Sequence, residues 1–358
     1  RKMSLQLFRL MQEQSFYHDD ERTIVLALKA CCLDADDLIG GKINVESCLE
    51  IGQAVHTHAW TKGFTSNIFV ACTLISMYSR CGCMLKAEYV FEKITKRNVV
   101  VWNTMLSAYL ERGEGRKTLQ LYREMQLEGV KPDQQTLVTA LQACCTLAEK
   151  GTAEKQGRPM KKVVLEIGQA LHVDAMNIKG ASTDAFVGSA LVTMYGNCNA
   201  ACEAEATFYS LLEHSLVTWN AMISAFAHHG LGSQALHLFY QMKEEGFVQD
   251  KISFIGALDA CILLRPVNIH LGRDIHAEVV GFGFEQNVLV STAVLNMYGK
   301  CGSPYNAEMV FQRIDGCRNM VTWSAMIAAY AHNGYEKEAI GLFRKMEDQR
   351  IVPNEVTS

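Results

Sequence analysis

Val99-Val100-Val101-Trp102-Asn103-Thr104-Met105 returns as Leu216-Val217-Thr218-Trp219-Asn220-Ala221-Met222, and again as Met320-Val321-Thr322-Trp323-Ser324-Ala325-Met326. Each copy opens a segment of 35 residues, 99–133, 216–250 and 320–354, and the segments end alike in Lys131-Pro132-Asp133, Val248-Gln249-Asp250 and Val352-Pro353-Asn354. Self-similarity at such a period is the signature of a repeat architecture, and it takes precedence over any local reading.

Two further lines interleave with the first. Ile68-Phe69-Val70 leads to Met77-Tyr78, Ala185-Phe186-Val187 to Met194-Tyr195, and Val288-Leu289-Val290 to Met297-Tyr298. Leu28-Lys29-Ala30-Cys31, Leu141-Gln142-Ala143-Cys144 and Leu258-Asp259-Ala260-Cys261 each continue to a Gly-x-x-x-His, from Gly52 to His56, Gly168 to His172 and Gly272 to His276. Three segment types therefore alternate in strict order. Trp102 and Trp219 are 117 residues apart, Trp219 and Trp323 only 104. The difference falls in the Cys-bearing segments, which carry extra residues at 33–47, 148–164 and 265–270; their charged and Gly/Pro-containing composition predicts exposed loops.

Each segment reads as two helices. In 99–133, Trp102, Met105, Leu106 and Tyr109 keep a helical spacing, Gly113 and Gly115 break it, and Leu119, Tyr122 and Met125 form a second stripe closed by Gly129 and Pro132. One such hairpin cannot bury its apolar stripes, whereas a stack of about ten can. The expected fold is an all-α, right-handed α-solenoid with a concave face, turns near Gly82, Gly113, Gly230, Gly302 and Gly334, and essentially no strand. Asn199 stands where the matching segments have Gly82 and Gly302.

Composition sets limits. The 358 residues carry a formal charge of -4, which argues against binding nucleic acid chiefly by counterion release; any such role must rest on local geometry. No apolar run approaches the roughly 18 residues of a membrane helix. The 13 cysteines include no Cys-x-x-Cys pair, so zinc is not expected. Cys31, Cys144 and Cys261, and likewise Cys81, Cys198 and Cys301, recur at equivalent places and are expected to be buried core thiols.

The alternation of 35-residue, longer and 31-residue segments, with Val-Thr-Trp-Asn, Leu-x-Ala-Cys and Met-Tyr-x-x-Cys-Gly (Met77 to Gly82, Met297 to Gly302), resembles the P, L and S motifs of the PLS subclass of pentatricopeptide-repeat proteins, the plant organellar RNA-editing-factor type. The resemblance covers the whole chain, with the boundaries P 1–20 (partial), L 21–67, S 68–98, P 99–133, L 134–184, S 185–215, P 216–250, L 251–287, S 288–319, P 320–354 and the start of an L at 355–358. Both ends fall inside the array, so the chain reads as a fragment of a longer protein.

In that family the fifth and last residues of a unit read one RNA base, and the second residue helps to sandwich it. Carried over, the resemblance pairs Asn103 with Asp133, Asn220 with Asp250 and Ser324 with Asn354 in the P units. In the S units it pairs Cys72 with Asn98, Ser189 with Ser215 and Thr292 with Asn319. Val100, Val217 and Val321 take the sandwiching position. An Asn amide donates and accepts, so it can meet a pyrimidine edge; a shorter Ser or Thr hydroxyl leaves room for a purine. The L units place Val25, Val138 and Ile255 at the fifth position, where an aliphatic side chain reads nothing.

Other signals are weaker. His276-Ala277-Glu278 fits the His-x-Glu of zinc nucleotide deaminases, but no Pro-Cys-x-x-Cys follows, and the triplet sits at the position shared with His56 and His172. His228-His229 beside Gly230 reads as a surface turn. Lys155, Arg158, Lys161 and Lys162 form a basic insertion, read as a solvated loop with phosphate contact as the sharper alternative.

No catalytic centre and no cofactor are expected in this chain. The resemblance implies single-stranded RNA as partner, with core U-N-N-U-N-A-A, and a role as specificity factor for C-to-U editing or other processing in a mitochondrion or chloroplast, with editing-complex proteins as further partners. A protein–protein scaffold is the alternative, supported by the acidic balance and the apolar fifth residues of the L units.

Overall fold

A computed structural model describes residues 20–36, 45–150, 154–155, 158–178, 184–264, 268–314, 318–349 and 351. Of the sequence expectations, the partial unit 1–20 (Asp20 excepted), Asn354 and the stretch 355–358 lie outside these residues. The chain forms two compact units, residues 1–181 and 182–358.

In the first unit the helices are α1 (Glu21–Asp36), α2 (Val45–Thr61), α3 (Ile68–Arg80), α4 (Met84–Lys93), α5 (Val99–Glu111), α6 (Gly115–Leu127), α7 (Gln134–Lys150) and α8 (Met160–Asn177). They pair as hairpins, α1 with α2, α3 with α4, α5 with α6 and α7 with α8, and the first helix of each hairpin packs on the first helix of the next: α1 on α3, α3 on α5, α5 on α7. The second unit repeats the plan with α9 (Ala185–Asn197), α10 (Ala201–Ser210), α11 (Leu216–His228), α12 (Gly232–Glu244), α13 (Lys251–Leu263), α14 (Ile269–Gly281), α15 (Val288–Lys300), α16 (Pro304–Arg313), α17 (Met320–His332) and α18 (Glu336–Asp348). There α9 packs on α11, α11 on α13, α13 on α15 and α15 on α17. Each unit is an α-solenoid stack, in which a hairpin buries its apolar stripes only against its neighbours.

The tryptophans that mark the repeat show how neighbours lock. Trp102 on α5 meets Phe91 of the preceding hairpin edge-to-face at 5.0 Å, with the Arg97 guanidinium 4.6 Å from the Phe91 ring. Trp323 meets Phe311 at 5.0 Å and Arg318 lies 4.6 Å over that ring. Trp219 meets Phe208 at 4.9 Å, and His214 takes the place of the arginine at 4.1 Å. Edge-to-face rings and a cation over an aromatic face each add to the gain from area burial. Cys31, Cys144 and Cys261 are buried on α1, α7 and α13, while Cys81 and Cys198 are buried and Cys301 half-buried at the ends of α3, α9 and α15.

The insertion at 148–164 differs from a plain loop. Its ends are helical, because Ala148, Met160 and Val164 are buried and draw α7 and α8 into the segment. Between them lies a two-residue antiparallel ladder, Glu154 opposite Pro159 and Lys155 opposite Arg158. Apart from this ladder, the described residues hold no sheet.

The turns after α3, α5, α9, α11, α15 and α17 use a left-handed residue. Gly82 (φ 78°), Gly113 (70°), Gly230 (76°), Gly302 (79°) and Gly334 (78°) supply it. Asn199, at φ 61°, holds the same conformation and is the one non-glycine with positive φ among the described residues. Asparagine tolerates that region better than other side chains, so the turn survives the loss of glycine. Asn199→Val should lower stability by roughly 1–2 kcal/mol, while Asn199→Gly should stay within about 1 kcal/mol of the parent. Equal thermal unfolding of the parent and Asn199→Val would contradict the account.

Candidate nucleic-acid interface

Every first helix from α3 to α17 opens on a residue that uses its side chain as an N-cap. Asn67 accepts from the backbone N–H of Phe69, Asn98 from Val101, Asp133 from Thr136 at 2.8 Å, Asp184 from Phe186 and Val187. Ser215 accepts from Thr218, Asp250 from Ile252 and Ser253, Asn287 from Val290, and Asn319 from Thr322. Such caps satisfy donors that the helix itself cannot. The second and fifth residues of these helices are three apart and therefore share a face.

Apart from Gln135 on α7, the second residues are apolar and exposed: Val100, Val217 and Val321 as expected, and also Phe69, Phe186, Ile252 and Leu289. Phe69 and Phe186 are 75% and 78% exposed, which a core role cannot explain. The S-type segments thus offer aromatic or aliphatic surface that the valine-centred sequence reading missed. Counting two residues on from Asn67, Asp184 and Asn287 would have found it.

The fifth residues sit beneath this surface. Asn103 Nδ2 donates to Asp133 Oδ1 at 2.9 Å and Oδ2 at 3.2 Å. Asn220 Nδ2 donates to Asp250 Oδ1 at 3.0 Å. The two pairs singled out in sequence are therefore in direct contact, each joining a first helix to the cap of the next. The Ser189 hydroxyl meets Thr218 Oγ1 at 2.8 Å, and Ser215 meets the same oxygen at 2.8 Å, so this pair is bridged. Thr292 returns its hydroxyl to Val288 O at 2.6 Å and Ser324 to Met320 O at 2.8 Å, while Asn319 caps α17. Cys72 is half-buried on α3, where burial pushes its thiol up, and Asn98 caps α5. Val25, Val138 and Ile255 are half-buried on α1, α7 and α13.

Around Asn103 the surface forms a recess of about 410 Å³. Val100 and Gln135, second residues of α5 and α7, both line it, as does Arg80 from the end of α3. The Asn103 amide thus lies between two successive second residues, beside a cation. Arg80 and Lys300 end first helices, where a cation also complements the helix dipole.

The remaining signals resolve as structure. His276 Nδ1 lies 3.0 Å from the Tyr298 hydroxyl and Glu278 accepts from Lys243 Nζ at 2.8 Å; His56 makes the matching contact with Tyr78 at 2.8 Å. Burial holds His56 and His276 below the ordinary imidazole value. His229 bonds Ala225 O at 2.6 Å at the end of α11. Lys161 and Lys162 lie in the first turn of α8. Among the described residues no group of three His, Cys, Asp or Glu side chains is placed to hold a metal ion, and no helix is long and apolar enough to cross a membrane.

Comparison with known proteins gives one consistent answer. A model described as PPR repeat family matches residues 97–146 and 318–358, and one described as PPR repeat matches 69–99, 217–247 and 290–318. A chloroplastic pentatricopeptide repeat-containing protein of Arabidopsis thaliana is 32% identical over 309 residues, 86% of this chain and 36% of its own length. A putative mitochondrial one from the same plant is 29% identical over 94% of this chain and 51% of its own. The chain thus spans about half, or less, of the curated relatives it matches. Among solved structures, PPR10 in complex with an 18-nucleotide psaJ RNA element superposes with a TM-score of 0.70 at 19% identity, over 99% of this chain and 54% of that one.

Burial raises the Asp133 carboxyl, but the hydrogen bonds from the Thr136 N–H and the Asn103 amide outweigh it and hold the group below its ordinary value. A depressed folded value means stabilisation that is present above about pH 4, the unfolded value, and lost as pH falls through the folded one. Asp133→Asn keeps a capping side chain but cannot titrate. The stability of the parent relative to this variant should therefore fall between about pH 5 and pH 3. A difference that stays flat in chemical denaturation across that range would contradict the assignment.

Proposed function

Because the chain belongs to the pentatricopeptide-repeat family, we propose that it binds single-stranded RNA in a sequence-specific way, one base per repeat. The observation that carries the reading is the recurring pair Asn103–Asp133 and Asn220–Asp250, hydrogen-bonded beneath exposed second residues. A base held between two such residues would present its edge to the amide, and an amide that both donates and accepts can pair with that edge. The relative PPR10 carries RNA in its solved complex, which supports the same ligand class here.

The finer reading follows the family code. The units are taken as P, L and S in the order given by the sequence, from the partial P at 1–20 to the P at 320–354. The 99–133 and 216–250 units take U, three nucleotides apart. Thr292 with Asn319 and Ser324 with Asn354 take two successive A, giving the core U-N-N-U-N-A-A. Cys72 with Asn98 and Ser189 with Ser215 are base-reading positions with no base assigned. The relatives named chloroplastic or mitochondrial support an organellar site of action, and the PLS-like order supports a role in positioning a transcript for C-to-U editing with editing-complex proteins. This stretch supplies recognition; the chemistry would come from elsewhere.

Asn220→Thr combined with Asp250→Asn should turn the 216–250 unit from U to A. Each mismatch should cost on the order of 1–3 kcal/mol, the range of good base-edge contacts. Affinities at one salt concentration, on RNAs differing only at that nucleotide, should exchange rank. Equal loss on both RNAs would show that the pair supports the fold and reads nothing.

A further inference from the structure

The Asn–Asp pairs have a third member that the two-residue code does not contain. Thr136 Oγ1 lies 2.6 Å from Asn103 Oδ1, and Ser253 Oγ lies 2.7 Å from Asn220 Oδ1, each 33 residues further along the chain. Both are the third residue of the following first helix. Both accept from the N-cap backbone, Asp133 N at 3.1 Å and Asp250 N at 3.2 Å, and both are fully buried. They cannot touch RNA, yet each is bonded to the side chain proposed to read it. The same network stands once in each compact unit, so it is not an accident of one hairpin.

The chemistry of the network fixes the amide. A carboxylate offers only acceptors, so the Asn atom facing Asp133 or Asp250 must be the nitrogen. The hydroxyl receives the cap N–H in its lone pair, and its single proton faces two acceptors, the Asn oxygen at 2.6 and 2.7 Å and the capping carboxylate at 2.8 and 2.9 Å. Two oxygens at the shorter distance would repel without a proton between them, so the proton is placed on the Asn oxygen. One N–H and one carbonyl lone pair remain, in a fixed order around the amide. That order matters to a pyrimidine. At positions 4 and 3, uracil presents acceptor then donor, whereas cytosine presents donor then acceptor. A locked amide matches one of these, while an amide free to pivot can be turned to suit either.

We propose that Thr136 and Ser253 are positioning residues that make the preceding unit select uracil over cytosine, by holding the Asn103 and Asn220 amides in one orientation. The inference rests on the base-reading role proposed above. The residue at this place also tells the units apart: Thr218 holds Ser189 in the same way at 2.8 Å, whereas Val101 follows the unit of Cys72 and has no hydroxyl to offer.

The test uses the purified chain and RNA oligonucleotides carrying U-N-N-U-N-A-A, varied to U, C or A at the nucleotide of the 216–250 unit. Ser253→Ala should lower the U-to-C affinity ratio at that nucleotide by roughly fivefold, the loss of one hydrogen bond, while pyrimidine stays preferred over A. The U-to-C ratio at the nucleotide of the 99–133 unit should not change, and Ser253→Thr should restore the parent ratio. Ser253→Ala also removes part of the α13 cap, so thermal unfolding is followed in parallel. A lower unfolding temperature with an unchanged U-to-C ratio would overturn the proposal and leave the hydroxyl as a cap. If Asn220→Thr with Asp250→Asn shifts no preference, base reading itself fails and this inference with it. If that double variant shifts preference and Ser253→Ala does not, only this inference fails.

Discussion

The N-cap that opens each first helix is the interaction on which the rest depends. Asp133 and Asp250 each accept the backbone N–H three residues on and, at the same time, the amide of Asn103 or Asn220 from the preceding hairpin. A helix start, a joint between hairpins and the proposed reading position are thus one polar cluster. Buried polar groups must be satisfied, so the amide has little freedom to sit otherwise. Stacking of first helix on first helix brings the cap within reach of the fifth residue, and the three-residue offset puts the second residue over both. Capping alone explains the residue types found at the ends of these units, and the recognition proposed above falls on the same residues.

Much of this was legible in the sequence because the repeat compares the chain with itself. The three Trp lines, the Ala-Cys lines and the Met-Tyr lines located the hairpins, and the glycines located their left-handed turns. Asn199 was visible as a departure, and its positive φ shows that the conformation outlived the residue. The Asn–Asp pairs were reached only through the family resemblance. Neither periodicity nor composition says that two residues 30 apart will touch.

What stayed hidden is what depends on the packed geometry. Thr136 and Ser253 look like ordinary capping-box residues until their hydroxyls are found on Asn103 and Asn220. Phe69 and Phe186 were given no role by the sequence, and their exposure places them with the valines. The 148–164 insertion read as a loop because charged residues, Gly and Pro dominate it, yet buried Met160 and Val164 extend α8 into it. The acidic net charge weighed against nucleic acid, but bulk charge does not report where Arg80 stands, on the rim of the recess around Asn103.

The account stands or falls on whether this surface reads sequence at all. Selection of a fully randomised single-stranded RNA pool on the purified chain, followed by sequencing of the retained molecules, addresses that directly. The prediction is enrichment of two U three nucleotides apart, followed after one unassigned nucleotide by two A. A retained pool with the base composition of the input at every position would contradict it, and would leave the hydrogen-bonded Asn–Asp pairs as joints of the solenoid alone.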